Sequence, residues 1–368
     1  MITAVVVVND IEKNDYLIKK EYDLALKDRT IPIVLEYLAE GGANVVLRLV
    51  PFARASRLKT PPDALVNKLL RVRKDKGFIA SAKDQQDEFE HTIAPLFPAE
   101  NLVNPILVSV DKGFLVAVNQ ELANIQADNL RPSRRKGDMV NEREQHATLM
   151  TDMSPIGVEI SLEIKPKWLL QSPNAPANAT RCRTCALRAQ RLRSGRLEAK
   201  KLEKSYCPLS LLSDNRQAHL QAGTAILKAN GSWEWMTKGD EAFANLMPTS
   251  IVPVLQKIRD YQARFDPNGI LAIKEGEEPP PDYLLAMTLR DCAMFLRTPK
   301  SLRQGPVEVR LADLDAKMPH PEKMKKWRET EETLISEGWY ECKEEDFGKE
   351  DICLLSKAQS ESKSQDDT

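Results

Sequence analysis

The clearest alternation of hydrophobic and polar residues lies between positions 158 and 167. Its apolar members are Val158, Ile160, Leu162 and Ile164, and the polar residues between them are Glu159, Ser161, Glu163 and Lys165. Successive side chains of a strand point to opposite faces, so this pattern predicts a strand with one buried and one charged face. Pro166 cannot donate to a strand ladder and predicts that the strand ends there. Glu163, Lys165 and Lys167 therefore stand in a row where the chain leaves the sheet.

Similar patterns predict a sheet with accompanying helices in the first part of the chain. The predicted strands are residues 2–8, 31–38, 45–50 and 68–73, and the predicted helices are residues 89–97 and 112–125. A glycine turn at residues 38–44 joins two of these strands. In the strand at 68–73, the alternation places Arg71 and Arg73 on one face.

The second half of the chain is predicted to mix helices with short strands. The segments are residues 283–296 as a buried helix or strand, residues 307–311 as a strand, and residues 324–337 as a helix that ends at Gly338. Residues 283–296 contain a single charged pair, Arg290 and Asp291, which either form an ion pair with each other or serve chemistry. The polar tail at residues 356–368 is expected to be disordered.

Composition limits the classes of protein that this chain can belong to. With 368 residues and 42% hydrophobic positions, it can form about two compact domains. Its 53 Lys and Arg residues balance 54 Asp and Glu residues to a net charge of −1, so no global field attracts nucleic acid. No apolar run reaches the roughly 20 residues of a membrane span. Six cysteines are too few for a secreted disulfide framework, which favours the cytoplasm or the nucleus.

Two local features could bind ions. Cys182 and Cys185 have metal-ligand spacing, but a structural zinc site needs four ligands and no second pair at matching spacing follows. The sequence therefore predicts two free thiols. Residues 181–204 contain nine Lys or Arg and two Glu, an excess of +7. Such a run is either a solvated helix or an anion-binding surface, and the residues alone leave both open.

The order of several polar motifs is typical of a kinase. Protein-kinase-like folds cover nucleotide phosphates with a glycine-rich hairpin, neutralise them with a strand cation and hold magnesium with an acidic residue. In this sequence the corresponding parts are residues 40–44, Arg71 or Arg73, and Asp313 or Asp315. No GxxxxGK[ST] motif is present, which excludes a Walker A site.

Longer motifs resemble one family at several ordered places. They are EGGAN at residues 40–44, RPSRR at 131–135, EIKPK at 163–167, YCPLSLLS at 206–213, TLRDC at 288–292 and DLDAK at 313–317. In this order and over roughly residues 36–340, the chain resembles the inositol-pentakisphosphate 2-kinase family. The CRTC step at residues 182–185 is similar to its fungal branch.

The resemblance implies an α+β, two-lobed kinase fold, with lobes at residues 1–152 and 153–355 and ATP in the cleft between them. It implies transfer of the γ-phosphate of ATP, with Mg²⁺, to the 2-hydroxyl of inositol 1,3,4,5,6-pentakisphosphate to give the hexakisphosphate, by a monomer located in the nucleus or the cytoplasm. The alternative is a catalytically weak protein that binds inositol polyphosphates. A third hypothesis, a nucleic-acid binder that uses residues 181–204, fits the local charge and not the net charge.

The resemblance also implies a role for each matching residue. Asp291 would orient and deprotonate the attacking hydroxyl, Lys165 would reach the transferred phosphoryl group, and Asp313 would hold Mg²⁺. The predicted nucleotide-binding residues are Glu40, Gly41, Gly42, Ala43, Asn44, Val45, Arg71, Thr151, Asp152, Met153 and Glu163. The predicted substrate-binding residues are Arg135, Lys167, Arg181, Arg188, Lys317 and Lys323. Within the basic segment, Cys185 stands where the family has a histidine.

Overall fold

The computed structural model describes residues 6–9, 21–26, 29–51, 67–77, 79–232, 239–299, 307–341 and 353–356. The chain forms two compact units, Met1–Asp152 and Met153–Thr368. Both units contain helices and antiparallel sheet, so the α+β class predicted from the sequence is confirmed. Most of the predicted disordered tail, residues 357–368, and the start of the first predicted strand lie outside the described residues.

Unit one is built on a seven-stranded antiparallel sheet with the order β1-β2-β3-β4-β5-β7-β6. Its strands are β1 Val6–Asn9, β2 Glu21–Leu26, β3 Arg29–Glu40, β4 Asn44–Pro51, β5 Lys68–Arg73, β6 Ile106–Ser109 and β7 His146–Thr151. β3 and β4 form the predicted hairpin, in which Glu40 pairs with Val45 and residues 41–43 separate the two strands.

The helices of unit one cover the sheet. They are α1 Ala82–Glu88 and α2 Lys112–Ala127. Asp111 caps α2 by accepting a hydrogen bond of 2.7 Å from the amide of Phe114, which satisfies one of the free donors at the helix start. Phe114 and Leu122 of α2 are buried in one cluster with Val45 and Leu47 of the sheet. The helix predicted at residues 89–97 forms only short π and 3₁₀ turns.

Unit two combines a small antiparallel sheet with six helices among the described residues. The strands lie in the order β10-β9-β8 and are β8 Glu159–Ile164, β9 Ala293–Pro299 and β10 Glu308–Ala312. The helices are α3 Arg183–Arg193, α4 Arg216–Ala229, α5 Gly239–Leu246, α6 Val252–Phe265, α7 Pro281–Leu289 and α8 Pro321–Ser336. Gly338 follows the end of α8 with a φ of 72°, a left-handed conformation that glycine adopts without a Cβ penalty.

Two sequence predictions can be compared directly with these elements. β8 ends before Pro166, and Ile160, Leu162 and Ile164 are buried as the alternation predicts, whereas Val158 precedes the strand and is 75% exposed. The apolar segment at residues 283–296 divides into a helix and a strand, α7 and β9, which places Asp291 in the turn between them. In the described part of the chain, no helix combines the length and the apolar character needed to cross a bilayer.

Candidate active site

The loop that follows β8 carries two of the predicted lysines. Lys165 Nζ lies 2.7 Å from Asp313 Oδ2 and 3.0 Å from Glu163 Oε1. Lys167 has a φ of 58° and Asp313 a φ of 54°, values that side-chain-bearing residues rarely adopt. Non-glycine residues in this region persist where surrounding contacts fix them, and such positions cluster at functional sites.

Buried Gln262 of α6 fixes the backbone of this loop. Its side-chain amide donates to the carbonyl of Lys167 at 2.8 Å and accepts from the amide of Leu169 at 3.0 Å. The same Nε2 also donates to the carbonyl of Leu289 at 3.4 Å, at the end of α7. Gln262 therefore connects the lysine loop to the turn that carries Asp291.

Asp291 lies between two lysines. Its Oδ1 is 3.1 Å from Lys167 Nζ and its Oδ2 is 2.7 Å from Lys317 Nζ, and about half of the side chain (55%) is exposed. Burial raises the pKa of the Asp291 carboxyl, but the two lysines more than offset this and hold that pKa below its usual range. The group is therefore an ionised hydrogen-bond acceptor at neutral pH.

Arg290 does not form the ion pair with Asp291 that the sequence left open. Its guanidinium is buried, lies 2.5 Å from Asp266 Oδ2, and stacks on the ring of Trp168 with Cζ 3.6 Å from the ring centroid. A second guanidinium, that of Arg183, lies 4.3 Å from the same centroid. Because Arg290 is bound to Asp266, the Asp291 carboxylate faces the two lysines.

A cavity of about 680 Å³ in unit two opens beside Asp291. Among the described residues that line it, ten are basic and one, Asp291, is acidic. The basic residues are Lys165, Lys167, Arg183, Arg188, Arg191, Lys204, Arg290, Lys317, Lys323 and Lys326. Burial and the nearby charge of Lys317 lower the pKa of Lys323, which is the effect expected of an excess of positive charge. The cavity is therefore suited to a compact polyanion.

The carboxylates of Glu163 and Asp313 lie together beside Lys165. The side chain of Asp313 is 61% exposed and that of Glu163 is 44% exposed, and both contact the same lysine nitrogen. Exposed carboxylate oxygens are ligands that a hard cation such as Mg²⁺ prefers. The role of Asp313 as a metal ligand stays a prediction.

Unit one contains the predicted glycine turn. Gly41, Gly42 and Ala43 join β3 to β4, and the amide of Gly41 donates to the carbonyl of Asn44 at 2.9 Å. A Cβ atom added at Gly42 would lie 3.7 Å from Arg135 Nη2. The turn therefore has a guanidinium directly beside its small residues, and this combination suits a phosphate.

The structure changes the role expected of Glu40. Its side chain is completely buried, and its two oxygens accept hydrogen bonds of 2.8 Å from Arg131 Nε and Nη2, while Lys74 Nζ lies at 2.5 Å. Burial raises the pKa of Glu40, but Arg131 and Lys74 lower it overall to about 2. Glu40 therefore supports the glycine turn by binding Arg131 and Lys74. Its carboxylate does not form part of a surface that a nucleotide reaches.

The strand cations are arranged differently from the sequence prediction. Arg73 is buried and donates to Asn44 Oδ1 at 3.1 Å, and Lys74 Nζ donates to the carbonyl of Gly41 at 2.9 Å. Arg71, the preferred candidate, is paired with Val46 in the sheet and its role stays a prediction. Lys74 was not among the predicted residues, because it directly follows the predicted strand at 68–73 and belongs to none of the motifs.

The remaining nucleotide-binding candidates lie in ordered backbone. Val45 is fully buried in the core of unit one, and Met153 is buried as well. At the end of β7, the amide of Thr151 donates to the carbonyl of Val103 at 2.8 Å, and the amide of Asp152 donates to the carbonyl of Asn67 at 2.7 Å. Their predicted contact with the nucleotide stays a prediction.

The prediction that Arg181 binds substrate is not supported by the position of its side chain. Arg181 is buried, and its Nη1 donates to the carbonyl of Glu341 at 3.2 Å, away from the residues that line the cavity. The neighbouring Arg183 lines the cavity instead, together with Arg188 and Arg191. Helical periodicity identifies this face, because positions 184, 187, 188 and 191 of α3 all line the cavity.

The mixed α+β units, the cation-lined cavity and the carboxylate beside it define a protein that handles a small, highly anionic molecule. Comparisons with known proteins show the family to which the chain belongs. The family model described as inositol-pentakisphosphate 2-kinase matches residues 37–333. The inositol-pentakisphosphate 2-kinase of Yarrowia lipolytica (strain CLIB 122 / E 150) is 30% identical over 281 residues, which cover 74% of this chain and 86% of the relative. The chain belongs to the inositol-pentakisphosphate 2-kinase family, and the resemblance found in its motifs is confirmed.

Proposed function

We propose that this protein is an ATP-dependent kinase that phosphorylates the 2-hydroxyl of inositol 1,3,4,5,6-pentakisphosphate to give inositol hexakisphosphate. The observation that carries the proposal is Asp291, an ionised carboxylate between Lys167 and Lys317 at the edge of the basic cavity. Membership of the family supplies the reaction and the acceptor.

The charge of the cavity matches the charge of this substrate. Each phosphate carries about −1.5 to −2 charges near neutral pH, so five of them carry roughly −8 to −10. Of the ten basic side chains that line the cavity, Arg290 is paired with Asp266 and Arg183 with Glu331, which leaves eight to offset that charge. Arginine forks such as those of Arg188 and Arg191 suit two phosphate oxygens at once, while Lys317 and Lys323 act as point charges.

Asp291 is placed to receive the acceptor hydroxyl. Substrate phosphates compete for Lys167 and Lys317, and the carboxylate then accepts the hydrogen bond of the 2-hydroxyl. In the transfer, a bond forms between the hydroxyl oxygen and the γ-phosphorus, the bond from that phosphorus to the bridging oxygen of ADP breaks, and the hydroxyl proton moves to Asp291. Such transfers depend mainly on positioning and charge stabilisation, so a carboxylate of low basicity suffices.

The group around Lys165 supplies contacts for the nucleotide. Asp313 and Glu163 would hold Mg²⁺, which neutralises charge on the nucleotide phosphates when it is bound. Lys165 already lies against both carboxylates and has the reach to contact a phosphoryl group. In unit one, the backbone of Gly41 and Gly42 beside Arg135 offers a second phosphate contact. Binding of ATP in a cleft between two lobes stays a prediction from the family resemblance.

The decisive experiment incubates the purified protein with Mg-ATP and inositol 1,3,4,5,6-pentakisphosphate and separates the products by anion-exchange chromatography. We expect inositol hexakisphosphate from the wild type and a strong loss of product from Asp291→Asn. Calorimetry of both proteins with the pentakisphosphate serves as the control for binding. Tight binding without any product from the wild type would contradict the kinase and support the binding protein instead.

A further inference from the structure

A buried carboxylate lies directly behind residues that line the cavity of unit two. Glu331 belongs to α8, is 1% exposed, and is not among the described residues that line the cavity. Its neighbour in the sequence, Thr330, does line it. Burial of a carboxylate is unfavourable unless donors or cations satisfy its oxygens, so the partners of Glu331 indicate what the residue does.

Three donors bind the Glu331 carboxylate, and one of them lines the cavity. Oε1 accepts hydrogen bonds from Ser172 Oγ at 2.6 Å and from the hydroxyl of Tyr340 at 2.5 Å. Oε2 accepts from Arg183 Nε at 2.7 Å. Burial and the neighbouring Glu331 carboxylate raise the pKa of Tyr340, so its hydroxyl stays protonated and remains a donor. The two hydroxyls therefore fix the carboxylate, and the carboxylate in turn fixes Arg183, which lines the cavity.

The guanidinium of Arg183 is held by two contacts and still has donors to offer. Its Nε is bound to Glu331, and its Cζ lies 4.3 Å from the ring centroid of Trp168, which also lines the cavity. Arg183 is 8% exposed, and no described residue accepts a hydrogen bond from its Nη1 or Nη2. A guanidinium presents its donors in a planar fork, so these two nitrogens are available to an anion in the cavity.

We propose that Glu331 is a positioning residue for the substrate: by holding Arg183 Nε, it directs Nη1 and Nη2 of that arginine to one phosphate in the cavity. The inference rests on the proposed function, which supplies the pentakisphosphate as the ligand. Since Glu331 offsets the charge of Arg183, this arginine supplies directed hydrogen bonds rather than net positive charge. Two parallel hydrogen bonds from one guanidinium orient a phosphate, and transfer to one hydroxyl among several groups depends on such orientation.

The same ion pair connects two helices that contribute to the cavity. Arg183 is the first residue of α3, and Glu331 lies near the C-terminal end of α8, 148 residues later in the sequence. Each helix also places other cations in the cavity, among them Arg188 from α3 and Lys323 from α8. A rigid ligand with several phosphates needs cations at fixed separations, and a bound pair between the two helices helps to keep them.

Two substitutions at Glu331 separate positioning from charge. Glu331→Asp keeps the charge but withdraws the carboxylate from Arg183 by about 1.5 Å, the length of one carbon–carbon bond. Glu331→Gln loses the charge but keeps an oxygen for Arg183 Nε, and its amide can donate to the hydroxyl of Ser172 or Tyr340. Calorimetry with the pentakisphosphate is expected to show a Kd raised at least about tenfold in Glu331→Asp and within about threefold of wild type in Glu331→Gln. A residue that acts through charge alone gives the opposite result, a lower Kd in Glu331→Gln and an unchanged Kd in Glu331→Asp, and this result would overturn the proposal.

A double-variant cycle and a matched control separate positioning from stability. Arg183→Lys keeps the charge and loses the fork, so it is expected to raise the Kd at least about tenfold. Glu331→Asp added to Arg183→Lys is expected to change that Kd by less than about twofold, because Glu331 acts through Arg183. Leu334→Ala, a buried substitution on the same helix, is expected to lower the melting temperature and leave the Kd within about twofold of wild type. Independent, additive effects of the two substitutions would contradict the proposal, and so would an equal rise of Kd in Leu334→Ala.

The remaining outcomes also decide between the proposals. If Glu331→Asp does not fold, Arg183→Lys replaces it, and a wild-type Kd in Arg183→Lys would overturn the role of Glu331. Wild-type protein that forms no inositol hexakisphosphate, but shows these changes in Kd, would contradict the proposed function and support the positioning role. Formation of inositol hexakisphosphate together with an unchanged Kd in Glu331→Asp would overturn the positioning role alone.

Discussion

Lys165 donates a hydrogen bond of 2.7 Å to Asp313, although 148 residues separate them in the sequence. Burial lowers the pKa of Lys165, but Asp313 and Glu163 raise it overall well above its usual range, so this ammonium stays charged across the physiological range. Under the proposed function, a phosphoryl group that approaches Lys165 would meet a cation already held in place by these carboxylates, which is the pre-organisation that phosphoryl transfer needs.

The first prediction concerns Asp291. Asp291→Asn removes the acceptor of the hydroxyl proton and also the one negative charge among the described residues of the cavity. We expect kcat to fall by about 10²- to 10⁴-fold, while the Kd for the pentakisphosphate stays the same or decreases. Steady-state kinetics and calorimetry measure the two effects. A large increase in Kd would show that Asp291 acts in binding.

Lys167 and Lys317 hold the pKa of Asp291 below its usual range, and this shift determines how the activity should depend on pH. The carboxylate stays ionised to a lower pH than an ordinary aspartate, so it contributes no loss of activity as the pH falls from 7 to 5. An acidic limb of kcat/KM, which reports the free enzyme, in that interval that disappears in Asp291→Asn would contradict this assignment.

The second prediction concerns the basic face of α8. Lys323 and Lys326 line the cavity, whereas Lys325 lies 3.8 Å from Glu329 and is 70% exposed. Because each lysine lost removes a charge-assisted contact worth about 1.5–3 kcal/mol, Lys323→Ala with Lys326→Ala should raise the Kd for the pentakisphosphate at least tenfold. Lys325→Ala is the matched control and should change it less than twofold. Equal increases in Kd for all three lysine substitutions would indicate that these lysines act only through long-range attraction.

The third prediction separates positioning by Gln262 from stability. Gln262→Leu leaves the carbonyl of Lys167 and the amide of Leu169 without their partner, and should cost about 1–3 kcal/mol of unfolding free energy. We also expect kcat to fall about tenfold or more, because the Lys167 loop and the Asp291 turn lose their connection. The matched control is Leu255→Ala, a buried substitution on the same helix that should cost about 2–5 kcal/mol and leave kcat within twofold.

The fourth prediction concerns the glycine turn. A Cβ at Gly41 meets no atom within 4 Å, and one at Gly42 meets only Arg135 at ordinary contact distance, so alanine fits both positions. Gly41→Ala with Gly42→Ala should therefore leave the melting temperature within a few degrees of wild type. It should raise the KM for ATP several-fold, because the added methyl groups obstruct phosphate. Gly77→Ala, also without a neighbour, is the control and should leave the KM unchanged. An unaltered KM in the double variant would remove the turn from the nucleotide site.

The fifth prediction concerns the buried Glu40. Glu40→Ala leaves Arg131 and Lys74 without a carboxylate that both contact, and should lower the stability of unit one by about 3–5 kcal/mol. The pKa of Glu40 is about 2 in the folded protein against 4.5 ordinarily, so its contribution is complete above about pH 4.5 and is lost as the pH falls towards 2. Urea unfolding at several pH values measures this. In Glu40→Ala, the dependence on pH in that interval should be weaker.

Several elements could be predicted because their cause is local. β8 and its end before Pro166 follow from alternation and from a missing backbone donor, and the β3–β4 hairpin follows from two apolar segments around Gly41 and Gly42. Motif order identified the family. Local pattern did not distinguish helix from strand in the apolar segment at residues 283–296, because a short apolar segment lacks a clear period.

What sequence alone determined is therefore the list of chemical groups: a small-residue turn, lysines after a strand, Asp291 and Asp313 in short polar motifs, and an excess of basic residues at 181–204. Only the tertiary structure decided their partners. The Glu40 carboxylate is buried and bound to Arg131 and Lys74. Cys353 lies beside Cys182 and Cys207, which are more than a hundred residues away in the sequence. The physical reason is that hydrogen bonds, ion pairs and metal coordination act over a few ångströms in space, and the folding of the whole unit determines which residues come that close.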